Sequence, residues 1–370
     1  MEKSVIAFAP GRVELLGNHT DYNEGLAFAA AIDRGVTIRA ERIDADLIEI
    51  SSETNQRQAK VPLKNLQRLE GESWANYPIG VIKILRDAGF AIGGLRLCVS
   101  SNLPLGSGLS SSAAFEVATA VAALELFETS MEVMALAQLC QKAENEFVGV
   151  RCGLLDQASS VFGKEDEIIL LDFRAITART VPLSPSVALL LVDPGVPHEL
   201  TGGEYNERRN QCHAAAAAMG VKALRDVTSE ALSSSSLDPL IRTRALHITG
   251  ENERVLAGVA ALQSGKMQEF GELMFQSHES SKCNFQNSTA FLDALVEIAA
   301  ATPGVLGARL TGGGFGGSTI WLVEGDKADK ILSKVSEAYH QKTGATCKAL
   351  ITKASQGARL VGQHRSHSDR

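Results

Sequence analysis

Apolar positions along the chain follow two periods, and each predicts a different element. Ser4–Ala9 and Gly35–Arg42 read as strands, and Asp46–Ser51 alternates as a third. Gly94–Ser100 reads as a further strand and runs through Asn102-Leu103-Pro104 into a glycine-serine segment. Ala113–Glu128, rich in Ala and Leu, predicts a strong helix, and Met131–Phe147 predicts a second with one polar side. Glu167–Asp172 and Val187–Asp193 are short apolar runs between breakers, as buried strands are. Beyond Asp193 the texture turns helical: Asn206–Met219, closed by Gly220, then Glu251–Leu262, Met267–Ser281 and Ser288–Ala301. Strands return at Val305–Leu310, Ser318–Val323 and Thr346–Thr352. This order predicts an α+β architecture in place of regular βαβ winding. The boundary is expected within Ser184–Pro194, giving domains at 1–186 and 187–362 and a frayed polar tail at 363–370. No internal repeat is visible.

Composition narrows the function classes. The 370 residues suffice for two domains, and aromatics at 5% leave a core of Ala, Val, Leu and Ile. Thirty-six Lys and Arg against 43 Asp and Glu give a net charge of −7 with no basic block, which argues against nucleic acid and anionic membranes as partners. No apolar run reaches membrane-spanning length, and Met1–Pro10 has no long apolar h-region. The six cysteines form no Cys-x-x-Cys pair and read as reduced thiols. A cytoplasmic protein handling small molecules as a monomer is the expectation.

Four segments carry candidate chemistry. In the first, Pro104–Ala114, Gly106 and Gly108 let backbone approach a phosphate, while Ser110, Ser111 and Ser112 sit where a helix begins. The same residues equally suit a serine-capped turn. There is no Walker lysine, and Ser111 stands where a dinucleotide fingerprint needs its third glycine. In the second, Thr311–Thr319, the run Gly312-Gly313-Gly314-Phe315-Gly316-Gly317 lies between strands, unlike a dinucleotide-binding loop, and so many glycines imply that backbone must approach something. The third segment, Arg12–Gly25, clusters His19, Asp21 and Asn23; it suits a solvated turn or a pocket for vicinal hydroxyls. The fourth sets Asp156 alone in an apolar stretch, as a helix cap or a functional carboxylate, with Glu144 on the preceding helix as a surface acid or a magnesium ligand.

Together, in this order, these segments resemble the galactokinases of the galactokinase–homoserine–mevalonate–phosphomevalonate (GHMP) kinase superfamily. The resemblance spans about Ala9 to Gly357 and includes Arg12-Val13, Gly17, His19–Asn23, Leu103–Ala113, Cys152–Gln157 and Thr311–Gly317. It implies a two-domain fold, with an N-terminal domain like ribosomal protein S5, a ferredoxin-like C-terminal domain and the site between them. It further implies ATP and Mg2+ as cofactors and phosphorylation of the anomeric hydroxyl of galactose. Pro104, Gly106, Ser107, Gly108, Leu109, Ser110, Ser111 and Ser112 would wrap the ATP phosphates, and Ser112 with Glu144 would hold magnesium. Gly312, Gly313, Gly314 and Gly316 would form a supporting loop. Asp156 matches the family's catalytic aspartate, and Arg12 the arginine that steadies it. Asn18, His19, Asp21, Gly153 and Tyr205 fall on sugar-contacting positions.

One position departs from the family pattern. Members usually read Gly-Glu-His-Thr-Asp, and this chain reads Gly17-Asn18-His19-Thr20-Asp21. The resemblance implies that this residue accepts a hydrogen bond from the sugar's 6-hydroxyl. An amide accepts less strongly than a carboxylate, by about 1 kcal/mol, and would tolerate a 6-modified sugar such as galacturonate. A non-catalytic sugar and ATP sensor is a further alternative.

Overall fold

The computed structural model describes residues 3–104, 106–196 and 203–365. Strands β1 (Lys3–Leu16), β2 (Leu26–Arg42), β3 (Leu47–Ser52) and β4 (Arg57–Pro62) come first, followed by helix α1 (Asn76–Asp87) and β5 (Leu95–Ser101). Then come α2 (Ser111–Leu126), α3 (Val133–Lys142), α4 (Leu155–Phe162), β6 (Glu167–Asp172) and β7 (Thr177–Pro182). The remainder is β8 (Val187–Asp193), α5 (Gly203–Ala218), α6 (Ser229–Ser233), α7 (Pro239–Gln263), α8 (Met267–Ser280) and α9 (Ala290–Ala300). β9 (Val305–Leu310), β10 (Thr319–Glu324), α10 (Ala328–Thr343), β11 (Lys348–Thr352) and β12 (Arg359–Arg365) close the chain.

Two sheets result. The first has eight strands in the path β12-β1-β2-β5-β3-β4, with β6 joined to β2 and β7 to β6. All its pairs are antiparallel except β3 with β5. The second is an antiparallel sheet ordered β11-β8-β10-β9. The α+β expectation holds. Helix α2 lies against β1 and β2 and is flanked by α1, α3 and α4. A helix covered on every side needs no polar face, which explains its nearly continuous run of buried Ala, Val and Leu.

The structure extends or corrects several element boundaries. β2 runs nine residues upstream of the expected Gly35 start, through the buried stretch Leu26–Ile32. Covered on both faces, this Ala-rich half shows no period of two, so no strand signal was available there. The helix expected over Met131–Phe147 ends at Lys142 and continues as a wide turn of π type through Val148. α7 begins twelve residues before the expected Glu251, at Pro239, capped by the Asp238 side chain on the amides of Leu240 and Ile241. The tail is also corrected: residues 363–365 pair with Val5, Ser4 and Lys3, returning the chain end to the first sheet. Residues 366–370 of that tail lie outside the described residues. Helices α1, α4 and α10 were not anticipated. α1 carries Pro78 in its first turn and Gly80 packed against Phe147, residues that weaken a helical pattern.

Candidate functional site

Asp156 stands in the first turn of α4, and three donors converge on its carboxylate. Arg12, on β1, reaches Oδ1 through Nε at 2.9 Å and Nη2 at 2.8 Å, a side-on guanidinium pair. Ser110 Oγ donates to Oδ2 at 2.5 Å. The remaining Arg12 nitrogen, Nη1, donates to the Gly108 carbonyl at 2.7 Å, so one arginine ties the carboxylate to the first glycine loop. The expected serine cap on α2 is therefore absent: Ser110 sits in the left-handed region at φ 58° and turns its hydroxyl to Asp156. The helix start keeps backbone amides without a side-chain cap.

The segment Gly17–Asn23 is buried apart from half-buried Asp21 and Tyr22, which favours the pocket over the solvated turn. Glu251 of α7 organises it. This buried carboxylate accepts from the amides of Gly17 at 2.7 Å and Asn18 at 2.9 Å, and from Ser277 Oγ at 3.0 Å. Its other oxygen pairs with Arg254 at 2.6 Å. These partners hold Glu251 ionised and its pKa low despite the desolvation that opposes them. His19 is fixed at both nitrogens, Nε2 against the Gly313 carbonyl at 2.8 Å and Nδ1 against Tyr22 Oη at 2.7 Å. A carbonyl can only accept, so Nε2 carries the proton and Nδ1 accepts from tyrosine. Burial lowers the His19 pKa to about 4, and the ring stays neutral. Its face stacks at a tilt on Tyr205, 5.1 Å away.

Asp21 packs directly on Gly153: a Cβ there would stand 1.7 Å from Oδ2, so only glycine fits. Desolvation first, and then the charge of Asp156, push the Asp21 pKa up to about 6. Asn18 does not offer its amide to the cavity as expected. Its Nδ2 donates to Glu14 Oε2 at 2.9 Å and to the Gly312 carbonyl at 2.8 Å, and its Oδ1 accepts from Asn287 at 2.8 Å.

The two glycine loops touch. Ser318 Oγ donates to the Ser107 carbonyl at 3.0 Å, and Gly317 lies against Gly108. Gly312, Gly314, Gly316 and Gly317 all hold positive φ. At Gly314 a side chain would also meet the Asn287 carbonyl at 2.3 Å. The backbone approach implied by so many glycines is thus partly internal, against Asn287 and the first loop.

Glu144, carried on the wide turn after α3, accepts from Gln157 Nε2 at 2.7 Å and Cys152 Sγ at 3.1 Å, and Ser112 also hydrogen-bonds to it. Gln157 Nε2 also reaches Glu116 at 3.0 Å. Desolvation, and then mutual repulsion, raise the pKa of Glu116, and desolvation likewise raises that of Glu144. Among the described residues no three His, Cys, Asp or Glu side chains form a metal cluster. One carboxylate beside one hydroxyl, with an anion-ready helix start next to them, suits a magnesium ion that shares its shell with substrate phosphates and water.

These groups surround one cavity of about 500 Å³. It brings together Arg12, Asn18, His19, Asp21, Ser112, Glu144, Gly153, Asp156, Tyr205, Gly312 and Gly313, all anticipated from the sequence. Residues 76–164 match the GHMP kinases N terminal domain, 259–341 the GHMP kinases C terminal, and 1–42 the galactokinase galactose-binding signature. The chain is 40% identical over 364 residues to a galactokinase of Roseiflexus sp. (strain RS-1), covering 96% of this chain and 93% of that one. A galactokinase of Haemophilus influenzae is 38% identical, again over 96% of this chain and 95% of its own length. The chain belongs to the galactokinase family. Lactococcus lactis galactokinase, solved in complex with galactose, superposes with a TM-score of 0.93 at 32% identity over 97% of this chain and 95% of that one. A mevalonate kinase superposes at a TM-score of 0.67 with 19% identity over 96% and 99% of the two chains, a likeness of fold.

Within this galactokinase-family site, several expected residues do not line the cavity. Pro104, Gly106, Ser107, Gly108, Leu109, Ser110 and Ser111 form the first loop and helix start beside it, and Gly314 and Gly316 belong to the second loop without lining the cavity. Sequence reasoning passed over Glu14, Arg151, Asn206, Tyr77, Gln157 and Glu251. Glu14 was discoverable, since an acid at the second position of Val13-Glu14-Leu15-Leu16 interrupts an apolar strand. Glu251 gave no signal, since an acid in a helix reads as a surface residue.

Proposed function

We propose that the chain transfers the γ-phosphoryl group of ATP to the anomeric hydroxyl of galactose, giving galactose 1-phosphate. The observation that carries this reading is the Asp156 carboxylate, held by Arg12 and Ser110 where the sugar-side residues meet the first glycine loop. Asp156 accepts the proton of the attacking hydroxyl, and Arg12 keeps the carboxylate aimed and balances charge near the transferring group. Asp21 and Tyr205, with Asn18, His19 and Gly153 shaping the wall, orient the sugar. Pro104, Gly106–Ser112 and the amides at the start of α2 cradle the phosphates, and Gly312–Gly314 with Gly316 support that loop. Ser112 and Glu144 would hold Mg2+, which when bound supplies charge neutralisation for the phosphates.

Six free cysteines support a cytoplasmic location. The two sheets support a division into domains near residue 186. Among the described residues no helix is long and apolar enough to cross a membrane.

A coupled ADP-release assay over a sugar panel tests the reading. Galactose should be turned over in the presence of ATP and magnesium, and chelation should abolish turnover while calorimetry still detects sugar binding. Absence of turnover with any galacto-configured sugar would overturn it. Asp156→Asn should lose on the order of 10²-fold or more in kcat while retaining sugar affinity.

A further inference from the structure

Glu14 is a cavity residue that the roles above leave without a task. It sits on β1 two residues beyond Arg12 and is 1% exposed, yet it lines the cavity. Its amide donates to Thr311 Oγ1 at 2.7 Å, which locks the strand against the second glycine loop. Its Oε2 accepts from Asn18 at 2.9 Å, whereas Oε1 has no hydrogen-bond partner among the described residues. A buried carboxylate oxygen without a donor is unfavourable, and such a group persists where a ligand supplies the missing hydrogen. Arg309 and Arg12 act on it by charge only, neither being hydrogen-bonded to it, and Asp21 opposes them. Burial outweighs that attraction and pushes its pKa up to about 7, as expected for an acceptor that still lacks a donor.

Asn18 has the opposite arrangement. Both of its amide hydrogens and its oxygen are engaged by Glu14, Gly312 and Asn287. The amide at the position where the sequence departs from the family pattern is therefore occupied in holding other groups, and the carboxylate at hand is the one it holds.

We propose that Glu14 is a specificity-determining residue of this site, accepting a hydrogen bond from one hydroxyl of a neutral sugar, and that Asn18 is the positioning residue that orients it. This rests on the sugar-kinase reading above and deepens it. The cavity already carries Glu14, Asp21, Glu144 and Asp156 against Arg12 and Arg151, and ATP adds further negative charge. A sugar acid would therefore be rejected, and Asn18 does not open the site to galacturonate.

The test measures affinity and kcat/KM for galactose, its 2-, 3-, 4- and 6-deoxy analogues and galacturonate, with wild type, Glu14→Gln and Asn18→Ala. In wild type, the analogue lacking the hydroxyl that meets Glu14 should be worse than galactose by about 10- to 100-fold. Glu14→Gln should shrink that one penalty by about tenfold and leave the others in place, because a neutral partner replaces the charged acceptor. Asn18→Ala should shrink the same penalty and leave those of the other analogues in place, because Glu14 loses the partner that orients it. Penalties for all four analogues unchanged by Glu14→Gln would overturn the inference, as would a pattern in Asn18→Ala identical to that of wild type, which also decides the matter where Glu14→Gln fails to fold. Galacturonate turned over as well as galactose by wild type would overturn it while leaving the kinase reading intact. Wild type inactive on every neutral galacto-sugar would overturn both.

Discussion

A methyl group on Gly153 would overlap Asp21 Oδ2, and the two residues come from segments more than 130 positions apart. Gly153→Ala is therefore expected to displace the Asp21 carboxylate and raise KM for galactose by about tenfold or more, with KM for ATP little changed. Steady-state kinetics with each substrate varied in turn checks this split. A second prediction concerns protons. The Asp21 pKa rises from an ordinary 3.8 to about 6, and that of Glu14 from 4.5 to about 7. Both groups hold protons more tightly folded than unfolded, so their contribution to stability is present at low pH and is lost as pH rises through about 4 to 7. His19, with its pKa lowered to about 4, works the other way: its contribution is lost as pH falls below about 6.5. Sugar hydroxyls favour the ionised carboxylates. The rise in Tm produced by saturating galactose should thus be larger at pH 8 than at pH 5.5, and an equal rise at both would count against Asp21 and Glu14 as sugar acceptors. Residue identity was legible at Asp156, where a charge interrupts an apolar run, and at Arg12 and Asp21 through the motif that carries the family resemblance. The raised pKa of Asp21 was not, because desolvation depends on what the fold places around the carboxylate.

At the scale of elements, α7 supports the sugar side without lining the cavity. Glu251 satisfies two amides of the Gly17–Asn18 turn and pairs with Arg254 on its own helix. Removing it strands a half-buried arginine and two buried donors. Glu251→Ala is expected to lower stability by about 3–5 kcal/mol in urea titration, with a parallel loss of sugar affinity. The same logic explains the wide turn after α3. A continued α-helix would rotate Glu144 relative to Ser112 and Gln157, and the extra residue per turn places the carboxylate between them. Glu144→Gln, which keeps shape and removes charge, should raise the magnesium concentration needed for half-maximal turnover by about tenfold or more while leaving galactose affinity unchanged. Periodicity located the strands β6, β8 and β9 to the residue, because each is a short buried run between breakers. It missed α1, α4 and α10, and it missed the first half of β2, where burial on both faces erases alternation.

At the scale of the whole molecule, the site is assembled from both sheets and the helices between them. β1 of the first sheet supplies Arg12 and Glu14, the turn between β9 and β10 of the second supplies Gly312 and Gly313, and α5 supplies Tyr205. The Ser318–Ser107 hydrogen bond and the Thr311–Glu14 hydrogen bond stitch the second glycine loop to the first loop and to β1. The sequence by itself determined the α+β class, the order of the glycine loops and acids, and the family those imply, because these follow from local pattern and from motifs a few residues long. It did not determine which polar atoms face the cavity. Asn18 and His19 were marked as sugar contacts by position, and the fold engages their hydrogen-bonding atoms with Glu14, Gly312, Gly313, Tyr22 and Asn287. Glu14, unmarked, keeps an oxygen without a partner among the described residues. A side chain's type is local information. Whether its hydrogen-bonding capacity is already satisfied depends on residues up to about three hundred positions away, and only the tertiary structure brings those together.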